Sequence, residues 1–348
     1  MRRLTMCLMV VVLLGISAVP GNAQDGEVVE QTGLLRIVVT MPEIGPIVRA
    51  LGGSMVEIEV IPLNGSTELS DVDAMVLTDL VITVEEFDAE LSENTTNIKY
   101  LGWEDFARHG AVLKDFPGYE ACPAGWWLGF DNMEAIASAI AEKLMMMGLE
   151  PSVVTSNLAR FLDDVAALRV SGREMLVAVG RERSTWVAMS PEAAYIIDNL
   201  GLAVGTVAWN PETGLVTGHD LVDIENKLQS REYAGMVCAM SMHNSETGQL
   251  ALQLEESTDA QIAWVKYKAD ESENPIIENA AYNAAAMSTA AALGDITTTT
   301  SGPPVSAHLI WALIVFVLLI LLVMQNKHAH YSGGSFAPAT KNSRKKKK

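Results

Sequence analysis

The sequence has 348 residues with 43 acidic and 24 basic side chains, which gives a net charge of −19. All 43 acids and 15 of the basic residues lie between residues 24 and 295, so this part alone carries a charge of −28. Because nucleic-acid phosphates require basic partners, this charge argues against nucleic-acid binding. The same part contains Cys122 and Cys238, and two cysteines so far apart leave their pairing open.

The first residues have the pattern of an export signal. Arg2 and Arg3 precede a mostly apolar run, and small residues end the segment at Ala23. This order predicts a secretory signal peptide over residues 1–23 that is removed after Ala23.

A second apolar segment lies near the other end of the chain. Leu309 to Met324 is uninterrupted by polar residues, and extension over 305–325 gives the length of a membrane-spanning helix. The tail, residues 326–348, has seven positive charges and no acids, as cytoplasmic flanks do. A Thr- and Pro-rich stalk, 295–304, precedes the span. We therefore predict a single-pass protein of the cell membrane with its ectodomain outside.

Residues 24–150 alternate between strand and helix patterns, which predicts an α/β lobe with a mainly parallel sheet flanked by helices. The predicted strands are Leu34–Thr40, Val56–Ile61, Asp79–Val84 and Ile98–Trp103, and the predicted helices are Gly45–Leu51, Ser70–Val76 and Met133–Met147. The segment between Phe106 and Phe130 is expected to be irregular.

One long amphipathic pattern runs from Pro151 to Val170. Its apolar residues recur at the three- and four-residue spacing of a helix, and Ser171 and Gly172 are expected to end it. We interpret residues 151–170 as one backbone helix that joins two lobes. An ordinary crossover helix within one sheet is the alternative.

The alternation then resumes over residues 171–294, which predicts a second α/β lobe. The predicted strands are Glu174–Val179, Leu202–Trp209, Tyr233–Met240 and Gln261–Tyr267, and the predicted helices are Pro191–Leu200, Asp220–Gln229, Glu246–Glu255 and Pro275–Leu293.

Several of these segments resemble one protein family when they are taken together and in order. They are IVVTMPEIGPIVRALGGSMVEIEVIP, SDVDAMVLTDLVIT, NMEAIASAIAEKL, SNLARFLDDVAAL and AAYIIDNLGL. They resemble the zinc/manganese-type substrate-binding proteins of ABC transporters, the helical-backbone class, from Leu34 to about Leu293. The resemblance implies two lobes that move little, metal capture between them and an ABC permease as partner.

The family's metal site is built from histidines with one or two carboxylates, and this chain departs from it. The loop that would carry the first histidine offers Glu68 instead, and Gly125 and Trp126 stand before Trp127 and Leu128, where the second histidine would precede a Trp-Leu pair. Ser190 takes the third position, and Asp270 is the nearest candidate for the family's aspartate. We therefore expect the metal site to be degenerate, with no metal cofactor.

The ligand of such a cleft is left open by the sequence. The candidate cleft residues are Glu68, Trp127, Ser190, Met240, Ser241, His243 and Asp270. One hypothesis is a Cu(I) site at Met240, Met242 and His243, with Cys238 or Met189 as a further ligand, and its alternative is core packing of these residues. Another is an aromatic pocket formed by the four tryptophans 126, 127, 186 and 209.

No catalytic motif is present in the sequence, which argues against an enzyme. We predict a membrane-anchored extracellular solute-binding protein with an unknown ligand. The alternative is a surface interaction or adhesion protein that uses the same scaffold without transport.

Overall fold

The computed structural model describes residues 34–61, 78–83, 99–267 and 275–296. The predicted signal peptide, the helix Ser70–Val76, the membrane span, the basic tail and all of the stalk after Ile296 lie outside these residues, and the first two stalk residues end the last helix. Within the described ranges, no helix combines the length and the apolar character that crossing a bilayer requires.

The first half of the chain contains a four-stranded parallel sheet. Its order is β2-β1-β3-β4, with β1 at Leu35–Val39, β2 at Val56–Val60, β3 at Leu80–Ile82 and β4 at Tyr100–Leu101. The accompanying helices are α1 (Gly45–Gly52), α2 (Trp103–Arg108) and α3 (Phe130–Met146). The segment expected to be irregular contains an antiparallel hairpin of β5 (Lys114–Phe116) and β6 (Tyr119–Cys122).

The second half contains another four-stranded parallel sheet, so the predicted α/β class is confirmed. Its order is β12-β11-β7-β8, with β7 at Thr185–Ala188, β8 at Ala203–Val207, β11 at Tyr233–Ala239 and β12 at Gln261–Val265. A small hairpin of β9 (Trp209–Asn210) and β10 (Gly214–Leu215) lies beside it. The helices are α5 (Pro191–Asn199), α6 (His219–Gln229), α7 (Glu246–Thr258) and α8 (Pro275–Ile296).

The long helix between the two sheets, α4, runs from Pro151 to Ala178. The prediction that it ends at Val170 is therefore wrong. Gly172 lies inside the helix, where a Cβ atom would come within 2.6 Å of the Leu200 side chain and 3.3 Å of Ala284. This glycine permits close packing rather than ending the helix, and Gly180, with φ of +69°, follows the true end.

The predicted strand at Glu174–Val179 is also wrong, because most of that apolar run forms the last turns of α4. The strand that begins the second sheet is β7, which the sequence analysis did not predict. A short apolar run fits a strand and a buried helix equally well, so its periodicity alone could not decide.

Helix α4 packs against α1 and α3 of the first half and against α8 of the second. Its buried side chains are Val154, Phe161, Val165, Leu168 and Leu176. One continuous apolar core includes residues of both sheets and of α4, while a smaller cluster covers the opposite face of the second sheet. The two halves are therefore held together by shared side-chain packing.

Candidate functional site

The carboxyl ends of three strands in the second sheet bring polar and sulfur-containing residues to one edge. Ser190 follows β7 and begins α5, Met240 and Ser241 follow β11, and Tyr267 follows β12. Because these strands are parallel, the residues share the edge of the sheet where α/β proteins commonly bind ligands.

Gly125 is one of the two residues, with Trp126, that stand where the family resemblance implies a histidine. It is buried with φ of +84°, and a Cβ atom there would lie 2.6 Å from Glu192 Cα and 2.9 Å from Glu192 Cγ. A side chain at this position would collide with the first turn of α5. The local packing therefore excludes an imidazole here without a backbone movement.

Ser190 is fully buried, and it does not use its hydroxyl to cap α5. Its Oγ has no hydrogen-bond partner of normal geometry among the described residues. The Tyr267 hydroxyl is the polar group close to it, and the two hydroxyls interact without a hydrogen bond of normal geometry.

The Tyr267 hydroxyl lies close to Ser190 and Ser241 and donates a hydrogen bond of 3.6 Å to Met242 Sδ. Burial raises the pKa of Tyr267 well above its usual value, and the negative charge of Glu192 adds to the increase. The two serine hydroxyls oppose the shift without cancelling it. The phenol therefore stays protonated and remains a hydrogen-bond donor.

Trp127 and Tyr267 line a small cavity of about 40 Å³ between segments from the two halves, with Glu43 and Lys266 beside them. The cavity has room for a few waters at most. Trp127 Nε1 and Glu192 Oε2 are buried without hydrogen-bond partners among the described residues, like Ser190 Oγ. Unpartnered polar atoms therefore occur in both segments that would carry the family's ligands.

Hydrogen bonds fix the segment that precedes α3 against α5. Asn199 Oδ1 accepts from Phe130 N at 2.8 Å, and Asn199 Nδ2 donates to Leu128 O at 2.8 Å. The Tyr195 hydroxyl donates to Cys122 O at 2.6 Å. These bonds join the two halves independently of α4.

The proposed soft-metal residues contact different partners. The Tyr282 hydroxyl donates to Met240 Sδ at 3.5 Å, while Met242 Sδ accepts from Tyr267. The exposed His243 ring lies 5.0 Å from the ring of Trp264. Across the part of the chain that the structure describes, no group of three or more His, Cys, Asp or Glu side chains could hold a metal ion.

Both cysteines are buried and free. Burial raises the pKa of the Cys122 thiol to about 11 and that of Cys238 to about 12. The remaining candidates, Glu68 and Asp270, lie outside the described residues.

Of the four tryptophans in the aromatic-pocket hypothesis, only Trp127 lines the small cavity. Trp186 is fully buried and donates to Ser184 Oγ at 2.8 Å, and Trp126 packs edge-on against Trp103 at 4.9 Å. Trp209 lies half-buried in β9. The four tryptophan side chains therefore have different surroundings and do not line the small cavity together.

The sequence analysis did not select Tyr267 or Glu192 as site residues. Tyr267 ended a predicted strand, at the same sheet edge as Ser190 and Met240, and that position was an available signal. Glu192 lies two residues after Ser190, in the first turn of α5. Its closeness to Gly125 depends on tertiary packing.

Comparison with known proteins finds similarity in fold but not in sequence. No family model matches the sequence, and no curated protein matches it. Solved structures match over most of the fold. The periplasmic zinc-binding protein TroA from Treponema pallidum is 15% identical with a TM-score of 0.59, over 75% of this chain and 100% of that chain. The fold is that of the zinc- and manganese-binding proteins of ABC transporters.

Two streptococcal structures extend this comparison. AdcAII from Streptococcus pneumoniae is 18% identical with a TM-score of 0.60, over 74% of this chain and 98% of that chain. The laminin-binding protein Lmb of Streptococcus agalactiae is 15% identical with a TM-score of 0.61, over 74% of this chain and 99% of that chain. Lmb is described as bifunctional, with adhesin and metal-transporting activity. The resemblance found in the sequence is thus confirmed for the fold.

Proposed function

We propose that this protein is a surface-anchored solute receptor that has the fold of metal-binding ABC receptors and a degenerate metal site. The observation that carries the proposal is the packing of Gly125 against Glu192, which leaves no room for a Cβ atom at residue 125. Hydroxyl, indole and phenol groups at Ser190, Trp127 and Tyr267 would replace nitrogen ligands. These groups are poor ligands for Zn²⁺ and Mn²⁺.

Titration calorimetry tests this proposal directly. Zn²⁺ and Mn²⁺ are titrated into metal-stripped full-length protein and into the Ser190→Ala variant, which should fold because the change is small. We expect weak heats that do not differ between the two proteins. Saturable binding with a stoichiometry of one that the Ser190→Ala change weakens would refute the degenerate site.

The location of the protein is part of the proposal. The apolar run at 305–325 and the basic tail at 326–348 support a C-terminal anchor with residues 24–294 outside. Protease treatment of intact cells is expected to remove the ectodomain and to leave the tail protected. Protection of the whole chain would contradict this topology.

A second candidate function is surface interaction without solute capture, and the small volume of the cavity favours it. A cavity of about 40 Å³ is far below the 300–1,000 Å³ typical of organic-ligand sites. A Ser190→Val variant separates the candidates, because it removes a buried hydroxyl beside Tyr267 in the cleft and should impair capture. It would leave binding to a partner on the outer surface unchanged.

A further inference from the structure

A much larger pocket lies away from the cleft, at the outer edge of the second sheet. Its volume is about 530 Å³, and it lies between the turn of the β5–β6 hairpin, the edge strand β8, the β9–β10 hairpin and α6. We call it the lateral pocket. Its volume is within the range of sites that hold small organic ligands.

Two tyrosines in fixed positions contribute to the walls of the lateral pocket. The Tyr119 hydroxyl donates to Trp209 O at 2.8 Å, which ties the first hairpin to the second. Tyr233 is almost fully buried, and the Lys227 ammonium lies 5.3 Å from its ring centroid. A Cβ atom at residue 205 would lie 2.3 Å from the Tyr233 ring. The ring can therefore pack in this position only because residue 205 is glycine.

Short polar side chains surround the tyrosines. The lining includes Thr206, Asn210, Thr213, Thr217 and Asp220. Asn210 Oδ1 accepts from Glu212 N at 2.8 Å, which leaves its amide group to face a ligand as a donor. Threonine hydroxyls both donate and accept, and the Asp220 carboxylate accepts from up to two hydroxyls. The pocket therefore offers donors and acceptors around two aromatic side chains.

The charge of the lining is nearly balanced. Asp223 forms an ion pair of 2.8 Å with Lys227, so these two charges compensate each other. Asp220 adds one negative charge, which disfavours an anionic ligand. One carboxylate in an otherwise hydroxyl-rich pocket suits a neutral ligand with several hydroxyl groups.

Two other pockets formed by the described residues do not offer this combination. The cleft cavity of about 40 Å³ is too small for an organic solute. A pocket of about 510 Å³ between α4, β12 and α8 is lined mainly by apolar side chains such as Leu168, Met175 and Leu293. That pocket has few polar groups that could orient a hydrophilic ligand.

We propose that the lateral pocket binds a neutral monosaccharide. Its hydroxyl groups would pair with Asp220, Asn210 and the threonines, and a pyranose ring would lie against the half-buried Tyr119 side chain. Aromatic and polar side chains in one pocket match a ligand with an apolar ring face and a polar rim. This site is separate from the metal-receptor cleft and does not depend on the function proposed above.

Titration calorimetry of the full-length protein tests the proposal, in a polyoxyethylene detergent because maltoside detergents carry sugar. The probes are glucose, galactose, mannose and N-acetylglucosamine, with glucuronate and spermidine as charged comparisons. We expect saturable binding of at least one neutral sugar and at least tenfold weaker binding of glucuronate. Absence of binding by all four sugars, or preferential binding of spermidine, would overturn the proposal.

Three variants locate the binding. Asp220→Ala is expected to weaken sugar binding at least tenfold, because it removes hydrogen bonds to a charged group. The matched control Glu256→Gln changes an exposed acid on α7 and should leave affinity unchanged. Ser190→Ala, in the cleft, should also leave it unchanged. Equal affinity in the Asp220→Ala protein would place the sugar elsewhere and refute the site.

Discussion

At the scale of single residues, Gly125 is the position where the proposed loss of a metal ligand can be tested, because a Cβ atom there would collide with Glu192. Its φ of +84° disfavours any residue with a Cβ atom, and the adjacent Glu192 backbone leaves no space for one. These are two separate obstacles. A histidine introduced here by substitution would therefore damage the packing before it could bind a metal.

The Gly125→His variant tests this argument, with Gly118→His as a matched control. Gly118 has the same φ of +84°, but a Cβ atom added there would meet no other atom within 4 Å. We expect the control to lose about 1–2 kcal/mol from backbone strain. Gly125→His should lose at least about 2 kcal/mol more because of the collision. Chemical denaturation measures both, and equal losses would contradict the packing argument.

A second residue-scale feature is the ion pair between Asp131 and Arg169, which links α3 to α4. The two groups are 2.7 Å apart. Burial alone would raise the pKa of Asp131, but the hydrogen bond and charge of Arg169, together with Lys114, hold it below its usual value of 3.8. The pair therefore stabilises the fold above that pH and is lost as the pH falls through the lowered pKa.

The Asp131→Asn variant should thus be less stable than wild type at pH 7, by about 0.2–1 kcal/mol, since the pair is half-exposed. At a pH below the lowered pKa the difference should shrink, because wild-type Asp131 is then protonated. Urea unfolding at both pH values measures this, with Asp163→Asn on the exposed side of α4 as control. A difference that stays constant with pH would exclude an electrostatic origin.

At the scale of elements, α4 shows why local sequence signals can mislead. Ser171 and Gly172 have the composition of a helix end, yet the helix continues for six residues beyond Gly172. A glycine inside a helix and a glycine after it look alike in the sequence. What distinguishes them is the approach of Leu200 and Ala284, which belong to segments far along the chain.

The same packing makes a prediction for the helix. Replacing Gly172 with leucine should destabilise the protein by about 1–3 kcal/mol, because the side chain would enter the contact with Leu200 and Ala284. Leucine at the neighbouring Ser171, which is half-exposed, is the control and should change stability little. Thermal unfolding compares the two variants, and equal melting temperatures would show that α4 does not pack closely at Gly172.

The accuracy with which the sequence predicted each element depends on whether the signals that set its boundaries lie within or next to that element. β1, β11 and α5 were predicted to within one or two residues, since their buried patterns and flanking glycines or prolines are local signals. β7 was missed because its four residues follow a longer apolar run that attracted the strand prediction. The hairpin of β5 and β6 was missed because the residues on either side of its turn have no strong strand pattern. The turn itself is made at Gly118, which has φ of +84°.

At the scale of the whole molecule, the fold was predictable from the order of its segments, although the sequence identity to solved structures is only 12–18%. Strand and helix periodicity survives when individual residues change, because it depends on which face of each element is buried. The site was less predictable. Ser190 and Trp127 could be selected from the family resemblance, whereas the contacts of Tyr267 and Glu192 follow from packing between distant segments.

The lateral pocket could not be predicted from the sequence. Its walls come from the β5–β6 hairpin, β8 and α6, which are separated by up to about a hundred residues along the chain. None of these segments carries a recognisable motif. The cleft cavity has a volume of about 40 Å³ and the lateral pocket one of about 530 Å³. Space for an organic ligand therefore lies in the lateral pocket and not in the cleft.

The most direct test of the degenerate metal site is the metal content of the full-length protein after purification from cells grown with zinc and manganese in the medium. Inductively coupled plasma mass spectrometry gives the moles of each metal per mole of chain. We predict far less than one equivalent of either metal, because Gly125 and Ser190 stand where nitrogen ligands would be needed. One equivalent of zinc or manganese that remains through dialysis would contradict the central claim.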